Sequence, residues 1–545
     1  MNLLQFIVAI SPVLLVLFFL VILRLPATKA MPLSWLIHVV LAFAIWQIPW
    51  IQVAAASLEG LIIAISVLWI IFGAVFLLNV LRTTGAIESI RYFFTTISPD
   101  RRVQVILIAW LFGAFLEGAS GFGTPAAVCA PLLVALGFPP MAAVVLALIS
   151  NSFPVAYGSI GTTFFVGLAQ GLQQGPDIAP IVAQYLGNIS ISDYIQIVSV
   201  KTALLNWLPG TLLPLLLSAM LTRFWGENKS WKEGLAIWKF ALLSGFIFTT
   251  SAVIIATFMG AEFPTLLSSM IALIVMITLA RRGILLPKEP WIFHKSAPTQ
   301  NFNLSEPLKI PTWKALSPYA IATMILLLSR FRFLPFHAWI NSVQIGWQHI
   351  LGTEISTQFA FLYSPGAVFV FTSAISIFIM GSGKKELFNS LKTSSSTLIS
   401  SFIALGTAVP LVRIFINSGV NASGLGSMPL ELADSMASVL GSVWPLFAPY
   451  VGSLGAFISG SATFSNLMFT LFQFGAALKN NLDPSVINAL QTVGAAVGNM
   501  ICVVNVVAAS SVVNLQGKEG RIIRYTLLPS LIICLLVGLI AIIVF

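Results

Sequence analysis

Glu117 is a carboxylate set inside a long run of membrane-grade residues, in the stretch Phe112-Gly-Ala-Phe-Leu-Glu117-Gly-Ala-Ser-Gly-Phe-Gly-Thr124-Pro125. An ionised carboxylate is costly at such depth, so an intramembrane acid defaults to function, and carrying one proton is the chemistry it suits. The bland alternative is a carboxylate that caps backbone amides at a turn. Beside it, Ser120, Gly121, Gly123 and Thr124 offer hydroxyls and open backbone. A second stretch, Leu454-Gly-Ala-Phe-Ile-Ser459-Gly-Ser-Ala-Thr-Phe-Ser-Asn466, aligns with the first without a gap. Gly113/Gly455, Ala114/Ala456, Phe115/Phe457, Gly118/Gly460 and Phe122/Phe464 are identical. Each stretch is followed by an apolar run broken by small polar residues: Ser150, Asn151 and Ser152 in one, Asn499 and Asn505 in the other. With Ser461, Thr463, Ser465 and Asn466, these supply hydroxyl and amide donors suited to an organic anion. For any single one of them, helix–helix adhesion is the competing use. Arg413, about one turn from the end of its apolar run, could pair with a substrate carboxylate. Snorkelling to the interface is the reading its position favours.

The elements that must hold these residues are helical and membrane-bound. Fifty-eight percent of the 545 residues are hydrophobic and 8% are charged, with a mean hydropathy of +0.99; soluble domains carry about a quarter charged residues. The expected fold is an all-α polytopic membrane protein with about twelve transmembrane helices plus two re-entrant helical hairpins in an inverted-repeat arrangement. Crossings are expected at 4–23, 33–51, 60–81, 141–166, 201–222, 240–259, 265–280, 316–329, 365–381, 397–416, 484–515 and 525–545. The hairpins fall at 103–137 and 440–478. In the first, Val103 to Leu116 makes an arm of about 21 Å, short of a hydrocarbon core of roughly 30 Å. Exposed backbone at its tip is tolerable only where it lines a cavity or is buried in protein. A pair of interrupted segments in corresponding places of two halves points to a secondary-transporter site.

The chain divides accordingly. Residues 1–59 are N-terminal helices, and 60–222 form a first repeat. Residues 223–396 are connecting helices with a cytoplasmic linker at 281–315, and 397–545 form a second repeat. If the loop holding Arg24 and Lys29 is cytoplasmic and the sides alternate, 22 of the 27 basic residues fall inside, the asymmetry that inner-membrane proteins show. Both termini are then external, as is the loop Gln170 to Ser199. The +10 net charge is spread through short loops and marks no nucleic-acid surface. Cys129, Cys502 and Cys534 have no pair spacing, and the four His show no ligand spacing, so neither a disulfide framework, a metal site nor a cofactor is expected. Glu59 and Lys201, at the starts of their runs, are expected at the interface.

The stretch Gly113-Ala-Phe-Leu-Glu-Gly-Ala-Ser-Gly-Phe-Gly-Thr-Pro125 resembles the signature of the bacterial lactate permease family. Asp100-Arg-Arg-Val-Gln104, Gly460-Ser-Ala-Thr-Phe-Ser-Asn466 and Gly517-Lys-Glu-Gly520 also match, so the resemblance spans most of the chain. It implies a proton symporter for L-lactate, D-lactate or glycolate. Two positions depart from the family: Ala462, where members often carry Asp or Asn, and Asn499, where some carry Lys. The resulting expectation is an inner-membrane carrier, not an enzyme, whose partners are a small carboxylate, protons and the lipid bilayer. By analogy with hairpin carriers that move one domain against a dimeric scaffold, a homodimer is a further expectation. Three alternatives are a Na⁺-coupled carrier of another organic anion, an anion channel, and an intramembrane enzyme. The last lacks both H-E-x-x-H and a nucleophile–base pair.

Overall fold

Helices open where the sequence can cap them. Pro140, Pro264, Pro365 and Pro484 each occupy the first turn of a helix, where a missing N–H costs nothing. Asp100 and Asp483 cap the next helices by accepting from Arg102 N and Ser485 N at 2.9 and 2.8 Å. The computed structural model describes residues 1–23, 25–119, 121, 124–174, 177–293, 310–330, 335–515 and 518–545. Ser120 and Gly123, both expected site residues, lie outside the described residues.

One order of elements occurs twice. The first set is a long helix Trp50–Thr83, a short one Ala86–Thr95, paired arms Arg101–Ala119 and Thr124–Ala135, a split helix Pro140–Ser150 and Pro154–Gly171, and a long helix Ile191–Trp225. The second set is Lys384–Ile416, Met428–Leu440, arms Trp444–Ser459 and Ala462–Lys479, a split helix Pro484–Gly498 and Val503–Ser511, and Glu519–Val544. Trp238–Met259, Pro264–Arg281, Thr312–Arg330 and Pro365–Ile379 lie between. A ribbon of Gln344–Trp347 with Thr357–Ala360 joins the last two.

Each pair of arms is an antiparallel helical hairpin. In the second, Trp444 Nε1 donates to Gln473 Oε1 at 2.8 Å near the open end, and Ser465 Oγ donates to Gly452 O at 2.7 Å nearer the tip. In the first, Cys129 Sγ donates to Ile108 O at 3.3 Å, and Gly113 faces Pro125. The first arm is longer than the expected 103–116, because the Asp100 cap starts it at Arg101 and it continues to Ala119. Its 19 residues span about 28 Å, and the whole of its 18-residue apolar window is buried. A helix that is apolar on every side lies in a protein core or spans a membrane, and the burial of this one places it among other helices.

The expected number of crossings is twelve. Among the described residues, eight helices are long and apolar enough to cross a membrane, or eleven if each bent pair counts as one. The run 141–166 is two helices meeting at 52°. Pro365–Ile379 falls short of spanning length, whereas Leu3–Leu17 continues without a break into a π-helical turn ending at Ile22. The expected divisions at 59/60 and 222/223 fall inside continuous helices, Trp50–Thr83 and Ile191–Trp225, while that at 396/397 falls where Lys384–Ile416 bends by 43° between Ser396 and Ser401. Hydropathy marks where charge ends, and helices such as Lys384–Ile416 run on through Lys384, Lys385 and Lys392. Trp50–Thr83 and Lys384–Ile416 pair antiparallel, with Asn79 Nδ2 donating to Ser394 Oγ at 2.9 Å.

Candidate substrate site

Glu117 lies on the last turn of the first hairpin's arm and is 3% exposed. Its Oε2 accepts from Asn151 Nδ2 at 2.8 Å. Asn151 is where Pro140–Ser150 stops, and the bend there turns its amide toward the hairpin. The backbone of the second segment also approaches the carboxylate: a Cβ on Gly158 would lie 2.3 Å from Glu117 Oε1. A side chain there would have to push the carboxylate aside.

Just beyond Gly158 the chain makes a left-handed turn. Ser159, Ile160 and Gly161 have φ of 45°, 56° and 70°. Two of the three carry a Cβ, and left-handed backbone costs such residues roughly 1–2 kcal/mol each. Strain of this kind persists only where surrounding structure imposes it, and it gathers at ligand sites. The turn aims Ser159, Thr162 and Thr163 into a cavity of about 40 Å³ that Glu117 also lines.

The opposite wall comes from the second half. Gly460, with φ of 82°, turns the second hairpin, and Ser461 caps Ala462–Lys479 by accepting from Phe464 N at 3.4 Å. Gly460 to Thr463, Asn499 and Asn505 line the cavity. Asn505 Nδ2 donates to Asn499 Oδ1 at 2.5 Å across the break between Pro484–Gly498 and Val503–Ser511. Thr162 and Thr463 hydroxyls, 3.4 Å apart, join the two halves. Thr162 also faces a second cavity of about 720 Å³, lined by Ile160 and bordered by Gln196, Glu262, Gln358 and Tyr363.

The expected residues therefore separate. Glu117, Ser461, Thr463, Asn499 and Asn505 share the cavity wall, and Asn151 reaches it through Glu117. Gly121 is buried in left-handed backbone at the first tip, with φ of 62°. Thr124 opens the second arm of that hairpin. Ser150 and Ser152 turn away, donating to Ala147 O and Ile149 O at 2.9 and 2.8 Å. Ser465 Oγ donates to Gly452 O within its own hairpin and accepts from Gln491 Nε2 at 3.1 Å. Asn466 reaches the first half, donating to Thr163 O at 3.1 Å, and also donates to Thr492 Oγ1 in its own half at 3.3 Å.

Arg413 stands apart from this cavity and does not snorkel. It is fully buried and pairs with Glu59 Oε1 at 2.5 Å, while its Nη1 donates to Gln170 O at 2.9 Å. Asn417 Nδ2 donates to the other oxygen of Glu59 at 2.8 Å. Glu59, expected at the interface, is 2% exposed; a buried cation and a buried carboxylate satisfy each other here. Lys201 is partly buried beside Asp483, with which it forms an ion pair, and Ser485. The run Gly158 to Thr163 is what sequence reasoning missed. Its signal was five glycine, serine or threonine positions among six, inside an expected crossing.

The L-lactate permease family model matches residues 5–545. The L-lactate permease of Bacillus subtilis is 29% identical, covering 92% of this chain and 89% of its own. The glycolate permease of Escherichia coli K12 is 27% identical over 98% of this chain and 94% of its own. The L-lactate permease of Salmonella typhi is 28% identical over 96% and 93%. Among solved structures, the YdaH transporter of Alcanivorax borkumensis overlaps 87% of this chain and 83% of its own at 14% identity, with a TM-score of 0.35. The chain belongs to the L-lactate permease family.

Proposed function

We propose that the chain imports lactate or glycolate across a bacterial inner membrane, each anion accompanied by one proton that Glu117 carries. The observation behind this reading is the charge of the cavity. Glu117 is its carboxylate, and among the described residues no Lys, Arg or His lines it. The anion's carboxylate would rest on dipoles: the N-terminus of Ala462–Lys479, which opens on the cavity, and the amides of Asn499 and Asn505. A substrate carboxylate and an ionised Glu117 about 4 Å apart would repel by about 4 kcal/mol at an effective dielectric of about 20. That is roughly a thousandfold in affinity. The site therefore holds the anion when Glu117 holds a proton, which couples the two.

In this reading both hairpins are re-entrant and the halves are inverted. Support comes from the two tips meeting at one cavity and from the basic residues, 22 of 27 on one side when each hairpin returns to its own face. The 720 Å³ cavity would be the external approach, with Thr162 at the boundary. Uptake of radiolabelled lactate and glycolate into proteoliposomes, with pH and Na⁺ gradients imposed separately, tests the coupling. Accumulation driven by the pH gradient alone is expected. Accumulation driven by Na⁺ alone would replace the proton with a sodium ion held at the tips.

A further inference from the structure

We infer that Ser159 is the ligand for the substrate's 2-hydroxyl group, and so the residue that separates 2-hydroxy acids from plain monocarboxylates. The inference rests on the cavity being the substrate site, as proposed above. It goes further in giving one side chain, absent from the sequence-based expectations, the task of specificity.

Ser159 Oγ is buried, lines the cavity and has no hydrogen-bond partner among the described residues. A buried hydroxyl without a partner is uncommon and calls for a reason. The other hydroxyls of the wall are in use. Thr163 donates to Ala156 O, and Thr162 to Gly158 O at 3.3 Å. Ser461 caps its own helix, and Thr463 faces Thr162. Asn499 and Asn505 are bonded to each other. Ser159 is the hydroxyl left over.

Its placement matches a 2-hydroxy acid. The left-handed turn sets Ser159 against the first hairpin tip, where a Cβ on Gly121 would meet Ser159 Cβ at 2.8 Å and Glu117 Oε1 at 3.4 Å. Ser159 thus sits on the Glu117 side of the cavity, while the helix N-terminus and the asparagine pair form the other side. A carboxylate drawn to those dipoles would point its neighbouring carbon, and the hydroxyl on it, toward Ser159. A serine hydroxyl both donates and accepts, so it can pair with a substrate hydroxyl in either sense. Propionate or acetate in the same pose would leave Ser159 unpaired and buried, the situation in which a polar site rejects an analogue lacking its hydroxyl.

The test compares hydroxy acids with their deoxy counterparts. Inhibition of pH-driven radiolabelled lactate uptake by lactate, glycolate, propionate and acetate is measured in proteoliposomes of the wild type, Ser159→Ala and Ser159→Thr. Wild type should prefer lactate to propionate and glycolate to acetate. Ser159→Ala should lose about tenfold or more in affinity for the hydroxy acids, collapsing both preferences, and Ser159→Thr should retain them. Preferences unchanged in Ser159→Ala, or equal weakening of all four acids, would overturn the inference. A wild type that takes up neither hydroxy acid would instead defeat the functional reading beneath it. If Ser159→Ala transports too slowly to measure, thermal stabilisation of the purified variant by lactate against propionate gives the same ratio. A lactate preference surviving there counts against the inference.

Discussion

Asn151 Nδ2 donates to Glu117 Oε2 across 2.8 Å, tying the break of the first split helix to the tip of the first hairpin. The bond joins residues 34 positions apart and makes the polar break and the intramembrane acid one unit. Asn151→Asp puts a second carboxylate at hydrogen-bond distance from Glu117, where two like charges cannot both persist. pH-driven lactate uptake should fall to background in that variant, with membrane insertion unchanged by fluorescence of a fused reporter. Wild-type uptake would separate the break from the acid.

Asn499 touches the cavity directly. Asn499→Ala should weaken substrate affinity roughly ten- to a hundredfold, since losing a buried hydrogen bond to a charged group costs about 1.5–3 kcal/mol. The KM for lactate uptake at a fixed pH gradient reads this out. An unchanged KM would move the carboxylate away from the asparagine pair.

Arg413 and Glu59 make a prediction of the opposite kind. Removing one partner of a buried ion pair leaves an uncompensated charge and costs about 3–5 kcal/mol, while replacing both with apolar residues is often near neutral. Arg413→Leu and Glu59→Leu should each lower the melting temperature in detergent and the yield of inserted protein. The double variant should recover both and still transport. A double variant that folds but has lost its lactate affinity would return Arg413 to the substrate site.

Accessibility checks the fold's orientation. The three native cysteines are buried, so single cysteines introduced near Lys232, Lys518 and Gln174 report alone. Reagents confined to the outside should label only the one near Gln174. Labelling near Lys232 from outside would reverse the proposed sidedness.

Glu117 was legible in the sequence because a charge within an apolar run has few benign explanations. The second tip was legible because Gly-Ala-Phe repeats in the same register. Gly158 to Thr163 was not, since glycine, serine and threonine in a hydrophobic run read equally as close helix packing, and composition does not encode a left-handed turn. The partner of Arg413 was hidden by distance: Glu59 is 354 positions away, and hydropathy carries no pairing information. Hydropathy also cannot tell a lipid-facing helix from one enclosed by protein. Arg101–Ala119 therefore read as a short membrane arm, although its entire apolar window is buried.

The central claim is that Glu117 carries the coupled proton, and Glu117→Gln tests it most directly. Glutamine keeps the size of the side chain and a partner for Asn151, but it cannot release a proton. Net uptake driven by a pH gradient and gradient-free exchange of lactate should be measured in the same proteoliposomes. Net uptake needs proton release on the far side, whereas exchange shuttles the loaded carrier back and forth. The account predicts that gradient-driven uptake collapses in Glu117→Gln while exchange largely survives. Gradient-driven uptake persisting in the variant, or both activities falling together, would contradict it.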